Sequence, residues 1–300
     1  FLTLVALVQE LDTPIIAEMK RMGKHSSWIL NYLLERVESY RLRNNTNLEG
    51  KPEKSEPPNV QILRTQIRQS KPLRPNECIR PIDVAVVESL LGNDGDLAKN
   101  IARFENRLEQ KSMSVAVLNA FNDSKNLMVE AGTGVGKSFA YLIPAVVYAL
   151  KNNCRVVVST NTINLQDQLV SKDIPVLIQG MAGMEDLPLE KFNYTVLKGR
   201  NNYLCLSKYS QILSSNDLSA DWARLISKML VWLRTTPAGD RHELNITNRR
   251  ATALWDQISA QSPIECNGLN GNCFMRSARD KASAAHLVIV NHSLLMADIT

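Results

Sequence analysis

Apolar positions in the first forty-three residues recur at helical spacing. Leu2, Val5, Leu7 and Val8 predict one apolar face. Pro14 opens a second helix over IIAEMKRMG and Gly23 closes it, since Pro suits the first helical turn and Gly the residue past the last. Ser26 and Ser27 offer an N-cap to a third, where Trp28, Tyr32, Leu33, Val37 and Tyr40 recur on one side. These positions predict packing, not chemistry. Over residues 44–80 the pattern breaks. NNTNLEGKPEKSEPPN is polar and rich in Pro, Asn and Lys, and reads as a flexible linker. Arg64, Arg68, Lys71, Arg74 and Arg80 make the following stretch basic, as a solvated face would be.

From Pro81 the pattern alternates. Helices are expected over 82–91 and about 105–121. Short apolar runs at Leu127 to Val129, Val156 to Val158, YTVLKG and Leu287 to Val290 predict strands. Between them lie SFAYLIPAVVYALKNN and NLQDQLVSKDI, the latter with Leu165, Leu169 and Ile174 on one side. Strands alternating with helices imply a parallel sheet covered on both faces. Residues about 205–280 leave that rhythm, with a helix over DWARLISKMLVWLRTT and a Gly/Asn-rich loop holding two cysteines. They read as an insertion, with Trp222, Trp232 and Trp255 as its core anchors. The expected organisation is a helical segment (1–43), a linker (44–80) and an α/β domain (81–300) interrupted by a helical insertion.

Composition narrows the classes. The 300 residues are 44% hydrophobic and 22% charged, which excludes a disordered chain, a collagen-like fibre and a disulfide miniprotein. A net charge of +5 permits a polyanionic partner. Five cysteines is an odd number on a long chain without an export signal, so reduced thiols or metal ligands in a cytoplasmic protein are expected. FLTLVALV is far short of the ~20 apolar residues that span a bilayer. With no initial Met and a last residue, Thr300, inside an apolar run, the sequence is expected to be an internal piece of a longer protein.

The sharpest chemistry lies in AGTGVGKS: Ala131, Gly132, Thr133, Gly134, Val135, Gly136, Lys137 and Ser138. This is the Walker A spacing, with Ala in first place, between an expected strand and an expected helix. Glycines let backbone N–H groups curl around a phosphate, and the helix N-terminus adds its dipole. Lys137 would reach the β/γ-phosphates of ATP and Ser138 would ligate Mg²⁺. Upstream, Gln110 offers a donor and an acceptor suited to an adenine edge. Downstream, Ser159, Thr160, Asn161 and Thr162 follow a strand at its carboxyl end, where open α/β sheets bind ligands. Such short polar side chains suit a nucleic-acid backbone, and one of them is expected to cap the next helix.

FENRLEQ, EAGTGVGKS, STNTINLQDQL, LKGRNNYLC and CFMRSARDKASAAHLVIVNHSLLMAD together resemble DinG-type, XPD-like superfamily-two DNA helicases, over roughly Pro81 to Thr300. The resemblance implies a RecA-like domain, partial here, that binds ATP and Mg²⁺. It implies 5′–3′ translocation on single-stranded DNA and unwinding of duplex junctions in repair or replication, with no membrane partner. It also places Gln110 at adenine and the STNT segment near the DNA backbone. In many bacterial members a 3′–5′ exonuclease precedes the helicase, and residues 1–43 resemble its trailing end. The family's Asp-Glu-x-His segment and second RecA-like domain are not among these residues, so the chain by itself is expected to bind nucleotide weakly and not to turn it over.

Cys205, Cys266 and Cys273 could supply thiolates to an iron–sulfur cluster, which usually takes four. The resemblance implies a 4Fe–4S cluster held by a cysteine after KGRxNYL and three more before an Arg-rich helix. One of the middle pair is missing here. Cys78 and Cys154 stand elsewhere. Arg276, Arg279 and Lys281 could grip phosphates or merely be solvated. His286 and His292 flank the last strand, the second in an Asn291–His292 pair that the family shares. Two other readings remain at this point: an ATP-regulated single-strand exonuclease whose helicase-like part only binds DNA, and a non-enzymatic nucleotide-binding module.

Overall fold

The computed structural model describes residues 8, 10–24, 28, 30–44, 70–102, 104–215, 218–261, 268, 269 and 271–299. They divide into two compact units. One comprises residues up to Arg68 together with Gly199–Ser277, and the other Gln69–Lys198 with Ala278–Thr300. All of the expected first helix but Val8, the Ser26 and Ser27 cap, most of the expected linker and Cys266 lie outside the described residues.

The second unit holds the sheet. Strands β1 (Val156–Thr160), β2 (Tyr194–Val196) and β3 (Leu287–Asn291) run parallel in the order β1-β3-β2. The central strand is buried from Leu287 to Val290, as expected of a strand covered on both faces. Register aligns Ser159 with Val290 and Thr160 with Asn291, so the carboxyl ends of β1 and β3 finish together. The expected strand at Leu127–Val129 is not formed. These residues are 46%, 97% and 41% exposed and join no ladder. An apolar run becomes a strand only when a neighbour accepts and donates its ladder bonds, and none of the described strands lies alongside.

The helix Lys137–Asn152 is the centre of this unit's core, with Ala140, Leu142, Ile143, Val146, Val147 and Ala149 almost wholly buried. It packs along the helix Leu108–Asp123. Pro144 inside it has no N–H for the carbonyl of Ala140, four residues back. The Ser114 hydroxyl of the neighbouring helix donates to that oxygen at 2.9 Å. Residues 70–80, expected as the end of a linker, are strapped to this helix's C-terminus. The Asn152 side chain accepts from Arg80 N–H at 2.8 Å and donates to its carbonyl at 3.1 Å, and Asn153 Nδ2 donates to Arg74 O at 2.7 Å. After β1 comes the helix Ile163–Gln168 and then a π turn, Leu169–Asp173. The wider π turn lets Leu169 and Ile174, five residues apart, both stay in the core, while ahead of it Gln166 is buried and Leu165 only half-buried.

The first unit is helical. Helices Thr13–Gly23 and Leu30–Asn44 pack together, and the former lies along Ala220–Trp232. Arg21 fixes that arrangement, bonding bidentately to Glu18 at 2.7–3.1 Å and donating to the carbonyls of Leu213 and Ser215. Trp28, Leu33 and Val37 are buried as expected, but Tyr32 and Tyr40 are 64% and 61% exposed, and Leu34 takes the inner place. An aromatic at helical spacing can turn its polar tip outward, and Arg36 covers the Tyr32 ring. Trp255 is fully buried with Nε1 donating to Asn201 O at 2.7 Å. Trp232 meets it edge-on at 6.3 Å and donates to Glu243 at 2.9 Å. Trp222 is half-buried.

Candidate nucleotide and nucleic-acid sites

Residues 131–136 form a turn between a lead-in without regular secondary structure and the N-terminus of Lys137–Asn152. Gly134 and Gly136 adopt φ of 86° and 76°, which a side chain opposes, and Gly136 is itself the helix N-cap. A Cβ at Gly132 or Gly134 would meet nothing within 4 Å, leaving the concave face open. At Gly136 a Cβ would stand 2.1 Å from Gln110 Nε2. Among the described residues, the N–H groups of Gly132 to Gly136 find no backbone acceptor. Exposed amides on a glycine turn at a helix start make a phosphate cradle, so the residues fit the group that the motif implies.

Three side chains hold the cradle by its carbonyls. Lys137 Nζ donates to Ala131 O at 3.0 Å, and Gln110 Nε2 to Gly136 O at 2.9 Å. Arg107, whose guanidinium also pairs with Glu105, donates to Gly134 O. Gln110 is 5% exposed, so its amide faces the loop. Arg107 was not singled out by sequence reasoning. Its signal was its place three residues before Gln110, at the start of the helix that lies against the loop. The Ser138 hydroxyl sits beside the Tyr141 phenol, whose pKa is raised, chiefly by burial.

The carboxyl end of the sheet carries a second polar group. Thr160 is 3% exposed and donates to Thr162 O at 3.1 Å. Thr162 caps the following helix, accepting from Leu165 N–H at 3.3 Å. Ser159 Oγ lies 2.7 Å from His292 Nδ1. Asn291 Oδ1 caps the last helix, His292–Ile299, accepting from Leu294 N–H at 2.8 Å. Lys198, just after β2, is 6% exposed and stands 3.8 Å from Asp167. His286 is buried and structural. Asn193 N–H donates to its Nδ1 at 3.3 Å, its Nε2 lies 3.2 Å from Asn153 Oδ1, and burial lowers its pKa.

Cys205 and Cys273 fall in the first unit, both half-buried. Their neighbours converge on one glycine: Leu204 N–H donates to Gly239 O at 3.0 Å, and the Phe274 ring would meet a Cβ on Gly239 at 2.3 Å. Cys78 and Cys154 lie in the other unit, and burial raises the Cys154 thiol. Among the described residues no group of three His, Cys, Asp or Glu is placed to hold a metal. Three candidate thiolates are one short of a four-thiolate cluster. Arg276, Arg279 and Lys281 are exposed on the helix Phe274–Ala284.

A glycine cradle at a helix start, beside a parallel sheet with a polar carboxyl end, is the arrangement of a P-loop domain. Residues 110–182 match the DEAD/DEAH box helicase family. The chain is 37% identical over 213 residues to the ATP-dependent helicase DinG of Mycobacterium tuberculosis, covering 64% of this chain and 31% of that protein. It is 36% identical over 219 residues to the ATP-dependent DNA helicase YoaA of Haemophilus influenzae, covering 71% and 32%. To the 3'-5' exonuclease DinG of Bacillus subtilis it is 28% identical over 302 aligned positions, covering 99% of this chain and 30% of that protein. These matches bear out the DinG-type resemblance, including its exonuclease-named branch. The chain spans about a third of the length of these relatives. Among the described residues no helix is long and apolar enough to cross a membrane.

Proposed function

We propose that this chain is the nucleotide-binding part of an ATP-dependent DNA helicase that couples ATP hydrolysis to 5′–3′ translocation on single-stranded DNA and opening of duplex junctions. The observation that carries the reading is the cradle at Gly132–Gly136, pinned from behind by Arg107, Gln110 and Lys137. A bound nucleotide supplies the hydrolysable β–γ phosphoanhydride bond. Lys137 would exchange the Ala131 carbonyl for the β/γ-phosphates, the loop amides would hold the phosphate oxygens, and the Ser138 hydroxyl would be a ligand to Mg²⁺. Gln110 ties the loop to the helix that would flank the adenine, so an occupied base pocket and an ordered loop support one another. The carboxyl end of the sheet, with Ser159, Asn161 and His292, lies where a nucleic-acid backbone would run.

In the full-length protein, Lys137→Ala should reduce ATP hydrolysis and strand displacement at least a hundredfold while single-strand binding without nucleotide persists. Unchanged strand displacement would sink the helicase reading. One observation favours a second reading: the relative aligned along 99% of this chain is named an exonuclease. Under that reading ATP-controlled DNA positioning serves a nuclease, and degradation from 3′ ends would survive Lys137→Ala with only its ATP dependence lost. The 300-residue chain by itself should bind nucleotide weakly and release no phosphate.

A further inference from the structure

The STNT run places three hydroxyls at the end of β1. Thr160 is buried with its proton on Thr162 O, and Thr162 Oγ1 accepts the capping N–H of Leu165 at the start of the next helix. Ser159 keeps a hydroxyl at the surface, and its neighbour is the exposed imidazole of His292, Oγ to Nδ1 2.7 Å. The two residues are 133 apart in sequence but meet because β1 and β3 finish in register and the last helix begins at His292. The Asn291 cap fixes where that helix starts, and so where the ring stands.

A phosphodiester oxygen only accepts hydrogen bonds. For Ser159 to bind one, its proton must point outward, and Oγ must then be the acceptor toward the ring. If the ring nitrogen accepted instead, the hydroxyl would present only lone pairs to the phosphate. We propose that His292 is a positioning residue for single-stranded DNA: its Nδ1–H donates to Ser159 Oγ and turns the Ser159 proton toward a backbone phosphate. This deepens the proposed function and rests on it. His292 acts through Ser159 and needs no charge of its own, so its contribution should vanish when the hydroxyl is absent.

The test is binding of a fluorescein-labelled thymidine 20-mer to the full-length protein at pH 8 without nucleotide, read by anisotropy. Ser159→Ala should weaken binding about tenfold, the scale of one hydrogen bond to a charged acceptor. His292→Ala should weaken it several-fold, and the double variant no more than Ser159→Ala alone. His292→Asn, whose amide N–H reaches Oγ, should return to within about twofold of wild type, a rescue that a general packing role would not give. The slope of log affinity against log salt should be unchanged, because a hydroxyl displaces no counterion. Additive losses, no loss, no rescue by Asn, or a slope reduced by about 0.7 on removing His292 would each overturn the proposal, the last by making the ring itself a phosphate-binding cation. Thermal unfolding followed by circular dichroism separates these outcomes from misfolding, since the Ser159→Ala and His292→Asn changes are small. A wild-type protein that fails to bind the strand would remove the proposed function as well. A wild type that binds, beside variants that bind equally, would remove this inference alone.

Discussion

His286 shows how a single residue can look functional and be structural. It flanks the last strand, as His292 does, yet it is 4% exposed and each ring nitrogen has a neighbour. Nδ1 accepts from Asn193 N–H, which assigns the proton to Nε2, facing Asn153 Oδ1. A second proton would have to sit on Nδ1 against an N–H group. Burial lowers the folded-state pKa below the ordinary histidine value near 6.5, so the unfolded chain takes up the proton first. The stability this gives is present above that value and is lost as pH falls through the lower folded one. The denaturation midpoint should therefore drop between pH 7.5 and pH 5.5, and His286→Gln, which keeps a donor and an acceptor without titrating, should flatten the drop. An equal drop in both proteins would place the pH sensitivity elsewhere. At this scale the sequence shows which residue types are present but not their partners. The STNT run announces a cap, which Thr162 supplies to Leu165 three residues on, but not that Thr160 would meet Val290 and Ser159 would meet His292, 130 and 133 positions away. The phosphate loop was legible because its chemistry is contiguous. Arg107 was not, since an Arg near a helix start is ordinarily solvated.

At the scale of the element, the Lys137–Asn152 helix shows a conflict and its resolution. Its apolar run predicts a buried helix, and it is one, despite Pro144 at its middle. Within a core, the orphaned carbonyl of Ala140 would cost about 1–3 kcal/mol without a partner. Ser114 supplies it from the adjacent helix. Ser114→Ala should accordingly destabilise this unit by about 1–3 kcal/mol. Adding Pro144→Ala, which restores the helix N–H, should recover most of the loss. Additive effects of the two changes in chemical denaturation would show that Ser114 matters for packing and not for that carbonyl. Periodicity located this helix and the strands β1, β2 and β3 closely. It failed where an element depends on what lies beside it. Leu127–Val129 has the composition of a strand and no ladder, and ahead of the π turn at Leu169–Asp173 it is Gln166, not Leu165, that is buried.

On the scale of the whole molecule, the chain leaves the α/β unit at Gly199 and returns to it after Ser277. The insertion expected over about 205–280 does more than interrupt the sheet domain, because the N-terminal helices join it in a unit of their own through Arg21 and the face of Ala220–Trp232. That partnership was illegible in sequence, where the two segments are separated by most of the sheet unit, Gln69–Lys198. It makes a testable division of spectroscopic labour. All four tryptophans, Trp28, Trp222, Trp232 and Trp255, belong to the helical unit, whereas the phosphate loop belongs to the other. The sheet unit has its own apolar core, from Ile82 to Ile289, and contains no tryptophan. A ligand that binds only a folded site stabilises the unit that owns the site, by about 2.7 kcal/mol at a hundredfold excess over Kd. For a unit of this size that is a rise of several degrees. In the 300-residue chain, Mg²⁺ with a non-hydrolysable ATP analogue should raise the thermal midpoint of the part of the transition seen by far-ultraviolet circular dichroism. The tryptophan fluorescence midpoint should stay in place, and Lys137→Ala should abolish the shift. Tryptophan emission that moved in step with the dichroism would show that the two units unfold as one, with nucleotide energy reaching the helical unit through the folded chain.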